Sequence, residues 1–385
     1  MNLNMEIKEL GDVLELQRGY DLPHSEMNEG VVPVAGSNGI IGYHDVAKLQ
    51  PPCITIGRSG SVGKLHRYDV PVWPHNTSLF ISDFKGNDDK YLFYLLKTID
   101  FNKVCDSSVI PSLNRNFVYP IKIYFETDVK KQKKIASVLS ALDDKIALNK
   151  KMNQKLEAMA KRLYDYWFVQ YDFPDKNGHP YKTTGGKMEY NETLKREIPE
   201  GWNDGALSDI ANITMGQSPD GASYNEDGEG MIFYQGSTDF GMRFPTVRQY
   251  TTAPTRFAKK GDILMSVRAP VGAVNIANTD CCIGRGLSAL NSKLGSLSHL
   301  YFLIDVFKKT FENKNTVGTT FGSITKDELY ALPVVIPDKK VIEQFEKMAK
   351  PIFDRQMKLG EESNRLIKLR DKLLPLLMNG QVEVK

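Results

Sequence analysis

Between residues 128 and 169, apolar side chains return in an alternating four-and-three step at Ile135, Leu139, Leu142, Ile146, Leu156, Ala160, Leu163 and Trp167. Asn149 and Asn153 fill the two missing places. That period is the seam of a coiled coil. No glycine or proline interrupts it, so the spacing predicts one helix of about 40 residues, roughly 60 Å long at 1.5 Å per residue. Such a helix cannot bury its stripe alone. A comparable stretch covers residues 338–378, with a seam at Phe345, Ala349, Ile352, Gln356, Leu359, Ser363, Leu366, Arg370, Leu373 and Leu377. The two helices are therefore expected to pair with each other.

The remaining pattern is short and broken by turn formers. Residues 31–34, 53–57, 70–73, 79–82 and 121–125 read as strands separated by glycine, proline and asparagine, and residues 89–98 read as a helix. The chain then repeats itself. Leu10, Asp12, Val13 and Gly19 recur as Leu207, Asp209, Ile210 and Gly216, and residues 56–63 resemble residues 265–272 with one residue of slippage. That slippage sets Arg58 against Arg268. Residues 91–98 match 300–307, Ser112-Leu113 matches Ser323-Ile324, and a glutamine stands near the start of each long helix, Gln132 and Gln344. The expected fold is α+β, two similar strand-rich globular domains joined by two long antiparallel coiled-coil helices. The boundaries are 1–127 and 201–337 for the globular domains, 128–169 and 338–379 for the helices, 170–200 for a turn-rich linker, and 380–385 for a tail.

Antiparallel pairing relates the two halves by an approximate two-fold axis, and Asn149, Asn153, Gln356 and Ser363 in the seams would fix its register. Two non-identical domains held in inverted orientation match the local two-fold symmetry of B-DNA, whose major groove returns to one face every ~34 Å. A bipartite, asymmetric target with an unread gap of fixed length follows from that geometry. The net charge of the whole chain, +3, does not announce a polyanion partner. The central helix is itself basic, because residues 128–163 hold ten Lys or Arg against four Asp or Glu, a balance of +6 (10 − 4), which reads either as a solvated face or as attraction to the unread spacer DNA or to acidic partner surfaces.

No apolar run approaches the ~20 residues of a membrane span, and residues 1–13 lack a signal-peptide core, so a cytoplasmic protein with no membrane partner is expected. Cys53, Cys105, Cys281 and Cys282 form no CxxC pair and read as buried free thiols. Catalytic motifs are missing too. Gln50-Pro51-Pro52-Cys53 lacks the amide or carboxylate and the aromatic that an adenine methyltransferase sets around its flipped base. Gly63-Lys64 has Arg58 at the place of the first phosphate-loop glycine. Asp143, Asp144 and Lys145 point in different directions on a helix, and His75 reads as a turn position, so no metal site is expected.

With these elements in place, the sequence resembles the specificity subunit of a type I restriction-modification enzyme over nearly its full length. The junction Tyr171-Asp172-Phe173-Pro174 through Pro180-Tyr181-Lys182, Gly185-Gly186 and Ile198-Pro199-Glu200-Gly201-Trp202 carries the resemblance most specifically. The helix start Gln132-Lys133-Lys134-Ile135-Ala136 and the ending Lys372-Leu373-Leu374-Pro375-Leu376-Leu377-Met378-Asn379-Gly380 add to it. The resemblance implies a non-catalytic chain with two target-recognition domains for double-stranded DNA and helices that dock two methyltransferase subunits. S-adenosylmethionine, ATP and Mg2+ would then belong to partner subunits, and whether restriction subunits join them is left open. The competing expectation is a coiled-coil scaffold that binds proteins only.

Direct reading of DNA requires Arg or Lys for guanine and Asn or Gln for adenine, delivered by loops or strands. In the first domain the candidates are Gln17, Arg18, Tyr20, Ser37, Asn38, Arg58, Lys64, His66 and Arg67. In the second they are Gln217, Ser218, Tyr224, Gln235, Ser237, Arg243, Arg248, Arg268 and Arg285. Arg58 and Arg268, taken as equivalent, are expected to hold phosphate or the fold, because a residue that reads sequence should differ between the halves. Exposed Tyr164, Tyr166 and Phe168 near the helix end are candidates for subunit docking.

Overall fold

The computed structural model describes residues 5–104, 112–241, 243–316 and 322–384. Two compact units divide the chain, Met1–Leu148 with Ser363–Lys385, and Asn149–Glu362. Each unit thus holds one strand-rich domain and its own segment of two helices, Val129–Tyr164 and Lys339–Met378. The helices begin alike, with Asp128 accepting from the Lys130 amide at 2.8 Å and Asp338 from the Lys340 amide at 2.7 Å. These carboxylates cap otherwise unpaired first-turn donors. The central helix ends by widening, and Gln170 N bonds back five residues to Asp165 O at 2.8 Å.

In the first unit, Glu6–Glu9 pairs antiparallel with Lys122–Phe125. A four-stranded antiparallel sheet follows the order Glu15–Arg18, Ser78–Asp83, Cys53–Gly57, Leu65–Tyr68. A second sheet sets Val32–Gly36 between Gly39–His44 and the parallel strand Trp73–Pro74. Leu10, Leu14, Ile54, Ile56, Tyr91 and Leu95 form the core, closed on the helical side by Ile135, Leu139, Leu377 and Met378. The second unit repeats this plan. Asn203–Ala206 pairs with Pro333–Ile336, and Ala211–Met215, Leu287–Ser292, Ile263–Ser266 and Val274–Ile276 take the same order as the first four-stranded sheet. Its other sheet is larger, with Met231–Tyr234 parallel to Cys281–Ile283 at the place of the first unit's parallel pair.

Within each unit the helical segments run antiparallel. Asp143 meets Arg370 in the first. In the second, Asn149 meets Glu362 at 2.9 Å and Glu157 meets Gln356 at 2.7 Å, and Trp167 and Phe168 pack on Phe345. Asn149, Asn153 and Gln356 are all buried in that seam. Asn153 contributes only its backbone carbonyl, to Gln356 at 3.3 Å.

The linker, residues 170–200, is packed through its aromatics: Phe173 stacks between Tyr181 and Trp202 at 4.7 and 5.0 Å, and Met188–Asn191 pairs with Arg196–Pro199. Its prolines and glycines serve turns between stacked aromatics. Gln132 is buried, accepting from the Asp88 amide and donating to Asn87 Oδ1 and Glu126 O. Its place in the second helix belongs to Ile342, since Gln132 N bonds Asp128 O and Ile342 N bonds Asp338 O. Gln344 is exposed. Tyr164 and Phe168, expected on the surface, are buried, while Tyr166 is 38% exposed. Cys53, Cys281 and Cys282 are buried with free thiols, and Cys105 lies outside the described residues. Burial pushes the Cys53 thiol up to about 11.

Candidate nucleic-acid interface

Backbone hydrogen bonds give a residue-by-residue match between the units. Gly19 N bonds Ser78 O and Tyr20 N bonds Pro74 O, while Gly216 N bonds Leu287 O and Gln217 N bonds Ile283 O. Tyr20 therefore stands where Gln217 stands. Likewise Leu113 N bonds Arg58 O and Ile324 N bonds Val267 O, and Ser59 bridges Ser112 as Arg268 bridges Ser323. This overturns the equivalence of Arg58 and Arg268: Arg58 corresponds to buried Val267, and Arg268 to Ser59. The two arginines are one residue out of step, and each is peculiar to its own unit.

In the first unit Gln17, Arg18, Tyr20, Arg58, Asn114 and Arg115 line an open cleft of about 570 Å³. Gly19 makes it possible, because a Cβ there would lie 2.1 Å from His75 O. The Tyr20 ring is held on Phe80 at 5.9 Å, and Arg18 sits 3.7 Å from Asp21. The Arg58 guanidinium makes no hydrogen bond or ion pair with the described residues, so its five donors are open to a ligand. Asn114 and Arg115 were not among the expected residues. They start a short helix, Asn114 capping it through the Asn116 amide at 3.0 Å, and an exposed cap gives no sign in sequence of facing a cleft. Ser37 and Asn38 form the turn between two strands beside this cleft, and His66 lies under Gly39. Burial, with Lys64 nearby, lowers the His66 pKa and keeps the ring neutral at pH 7. Lys64 is exposed.

The second unit gathers Gln217, Ser218, Gln235 and Arg285. Gln235 Nε2 donates to Ser218 Oγ at 3.1 Å, which also accepts from the Arg285 amide at 3.3 Å. The matching place in the first unit holds Asp21, accepting from Asn76 Nδ2, a further residue that sequence reasoning missed. Ser237 opens a short turn of 3-10 helix, Arg248 pairs with Asp239, and Arg268 is exposed.

Three expected readers are committed elsewhere. Arg67 is shared between Asp89 and Asp69, each at 2.8 Å. Tyr224 stacks on Phe233 at 4.9 Å and donates its hydroxyl to Pro219 O at 3.0 Å. Arg243 is buried, donates to Glu157 at 2.8 Å, and lies over the rings of Tyr301 and Phe353 at 4.7 and 4.5 Å. The Arg243 contact holds the second domain to the central helix, and the other two lie within their own domains. Among the described residues, no group of three or more His, Cys, Asp or Glu could hold a metal ion, and no helix is long and apolar enough to cross a membrane. On the helical face of the second unit, Met159, Leu163, Tyr166, Met348 and Ile352 line an open apolar hollow of about 580 Å³, with Met159 and Met348 more than half exposed.

The two units are copies of one fold that carry different polar side chains at equivalent positions. The chain belongs to the family of the type I restriction modification DNA specificity domain, whose model matches residues 2–158 and 199–369. It is a specificity subunit, the non-catalytic, DNA-recognising component of a type I restriction-modification system. A chain from Methanocaldococcus jannaschii named for the specificity subunit of the type I restriction enzyme MjaX is 31% identical over 311 residues, 77% of this chain and 68% of that one. The HindI specificity subunit of Haemophilus influenzae is 23% identical over 356 residues, 76% of this chain and 77% of its own. The crystal structure of an S subunit of a type I system from M. genitalium shares the fold, with a TM-score of 0.64 over 98% of this chain and 96% of that one at 16% identity.

Proposed function

We propose that the chain reads a bipartite, asymmetric site in double-stranded DNA, one half-site per unit, with an unread gap of fixed length. The observation that carries this is the contrast at matched positions on one scaffold. Tyr20 is equivalent in position to Gln217, Arg58 to Val267, Ser59 to Arg268, and the pair Asp21 and Asn76 to Ser218 and Arg285. Equal backbones with unequal hydrogen-bonding groups read unequal sequences. Gln17, Arg18, Arg58, Asn114 and Arg115 serve one half-site; Gln217, Ser218, Gln235, Arg268 and Arg285 serve the other. Ser37, Asn38, Lys64, His66, Ser237 and Arg248 flank them as phosphate or backbone contacts.

The helices dock two methyltransferase subunits, and the hollow around Met159 and Met348 supports this because exposed apolar side chains on a helical pair call for a cover. S-adenosylmethionine, ATP and Mg2+ reside on those partners and on any restriction subunit, in the cytoplasm. The test is methylation mapping in a host expressing this chain with its methyltransferase subunit. Adenine methylation at one split motif, lost on deleting the chain, is the expected result. Unchanged methylation without the chain would return the function to a protein scaffold.

A further inference from the structure

The strand pair Val32–Gly36 and Gly39–His44 carries an irregularity: Val34 faces Gly42, but Ala35 faces Ile40, leaving Ile41 as an extra residue. An extra residue breaks the alternation of a strand and re-aims its side chains. Here it leaves Ile40 and Ile41, which are consecutive, both turned outward at 50% and 40% exposure. Gly36 lets Ile41 lie across the turn, since a Cβ at Gly36 would come within 2.6 Å of Ile41 Cγ2. Two exposed isoleucines on an edge strand are a liability unless something covers them.

Two observations indicate what does. The turn that precedes Ile40 and Ile41 adjoins the loop carrying Arg58, because a Cβ on Gly57 would meet Ser37 O at 2.6 Å and one on Gly60 would meet Ser37 Oγ at 3.7 Å. The second unit, moreover, puts an arginine at the same place. Phe233 faces Gln249 there as Val34 faces Gly42 here, so the position of Ile41 is held by Arg248. At that position the first unit has an exposed apolar side chain, and the second an arginine paired with Asp239 and Thr238. In the major groove the apolar feature of a base edge is the C5-methyl of thymine, and a two-stranded ribbon fits that groove.

We infer that the Ile40–Ile41 tip of the first unit contacts thymine methyl groups in its half-site. The inference rests on the reading of one half-site per unit. Its test uses the full complex with its methyltransferase subunits and duplexes of the mapped motif. Arg58→Ala first identifies the half-site of the first unit, as the one where recognition changes. Replacing its thymines by deoxyuridine then removes only methyl groups, and competition binding should weaken about fourfold for each contacted methyl. The same replacement in the other half-site should change nothing. In Ile40→Ser/Ile41→Ser the thymine and uracil duplexes should bind equally, whereas Ile41→Val should keep the preference. No loss on uracil replacement, a loss that persists in the double variant, or a half-site without thymine would each overturn the inference. Should Arg58→Ala alter neither half-site, the reading of DNA by the first unit fails and takes the inference with it. If Arg58 matters and the methyl groups do not, the inference alone falls.

Discussion

Arg370 on the C-terminal helix donates to Asp143 on the central helix of the first unit, Nη1 to Oδ1 at 2.7 Å. The same carboxylate accepts from the Tyr94 hydroxyl at 2.8 Å and lies 3.6 Å from Lys97 Nζ. One acid therefore fixes the register of the helical pair and ties the domain to it. Burial raises the Asp143 pKa, but the Arg370 and Tyr94 hydrogen bonds and the Lys97 charge outweigh it and hold the carboxyl below its usual value. A depressed carboxyl contributes stability above its unfolded pKa of about 3.9 and loses it as pH falls further. Asp143→Asn should cost about 2 kcal/mol at pH 7. Urea unfolding of both proteins at falling pH checks this, and the gap between them should shrink below about pH 4.

Arg243 offers the sharpest contrast between a structural arginine and a reading one. Its charge is buried against Glu157, whose side chain is 35% exposed, and removing it strands that acid beside Gln356. Arg243→Ala should destabilise the second unit by about 3 kcal/mol, the low end for a broken buried pair because Glu157 keeps some solvent. Arg58→Ala should stay within about 0.5 kcal/mol of the parent. Thermal unfolding separates the two, and methylation mapping should show a changed half-site for Arg58→Ala alone.

Gly360 lies inside the C-terminal helix, where glycine normally costs about 1 kcal/mol relative to alanine. In this helix alanine should be worse. A Cβ at Gly360 would come 2.4 Å from Phe244 Cε2, and that ring is buried. The glycine admits the loop that also delivers Arg243 to Glu157. Gly360→Ala should lower stability by about 1–3 kcal/mol through overpacking, reversing the propensity expectation, and Gly360→Ala combined with Phe244→Leu should recover part of the loss. Denaturation midpoints of the single and double variants decide the sign.

The parts legible in sequence were those set by an unbroken period. Ile135, Leu139, Phe345 and Leu377 announced the helices, and Asn149 and Gln356 marked the polar stations of the seam, because a 3.6-residue repeat depends on nothing outside the segment. Strands such as Trp73–Pro74 depend on partners far along the chain, and residues 70–73 marked the place without its true bounds. Arg243 looked like any loop arginine, since nothing near it in sequence mentions Gly360 or Glu157. Local similarity set Arg58 against Arg268, and only the backbone bonds from Leu113 and Ile324 show the offset. Ile40 and Ile41 lie on Gly39–His44, a strand absent from the sequence pattern, and their exposure depends on the extra residue that only the pairing with Val32–Gly36 shows.

His299 supplies the last prediction. The ring is buried in the second unit, 4.6 Å from the Phe168 ring and 5.7 Å from that of Tyr164, and burial pushes its pKa down to about 3. Folded His299 thus stays neutral while the unfolded chain takes up a proton near pH 6.5. A depressed pKa means that full stability is present above about pH 6.5 and is lost as pH falls toward 3, by at most one proton, about 1.4 kcal/mol per pH unit. His299→Phe removes the titrating group from an aromatic cluster that can take another ring. Its stability should fall less steeply than the parent's between pH 6.5 and 4, measured by urea unfolding at constant ionic strength. Parallel pH profiles for the two proteins would show that another group governs acid unfolding of this unit.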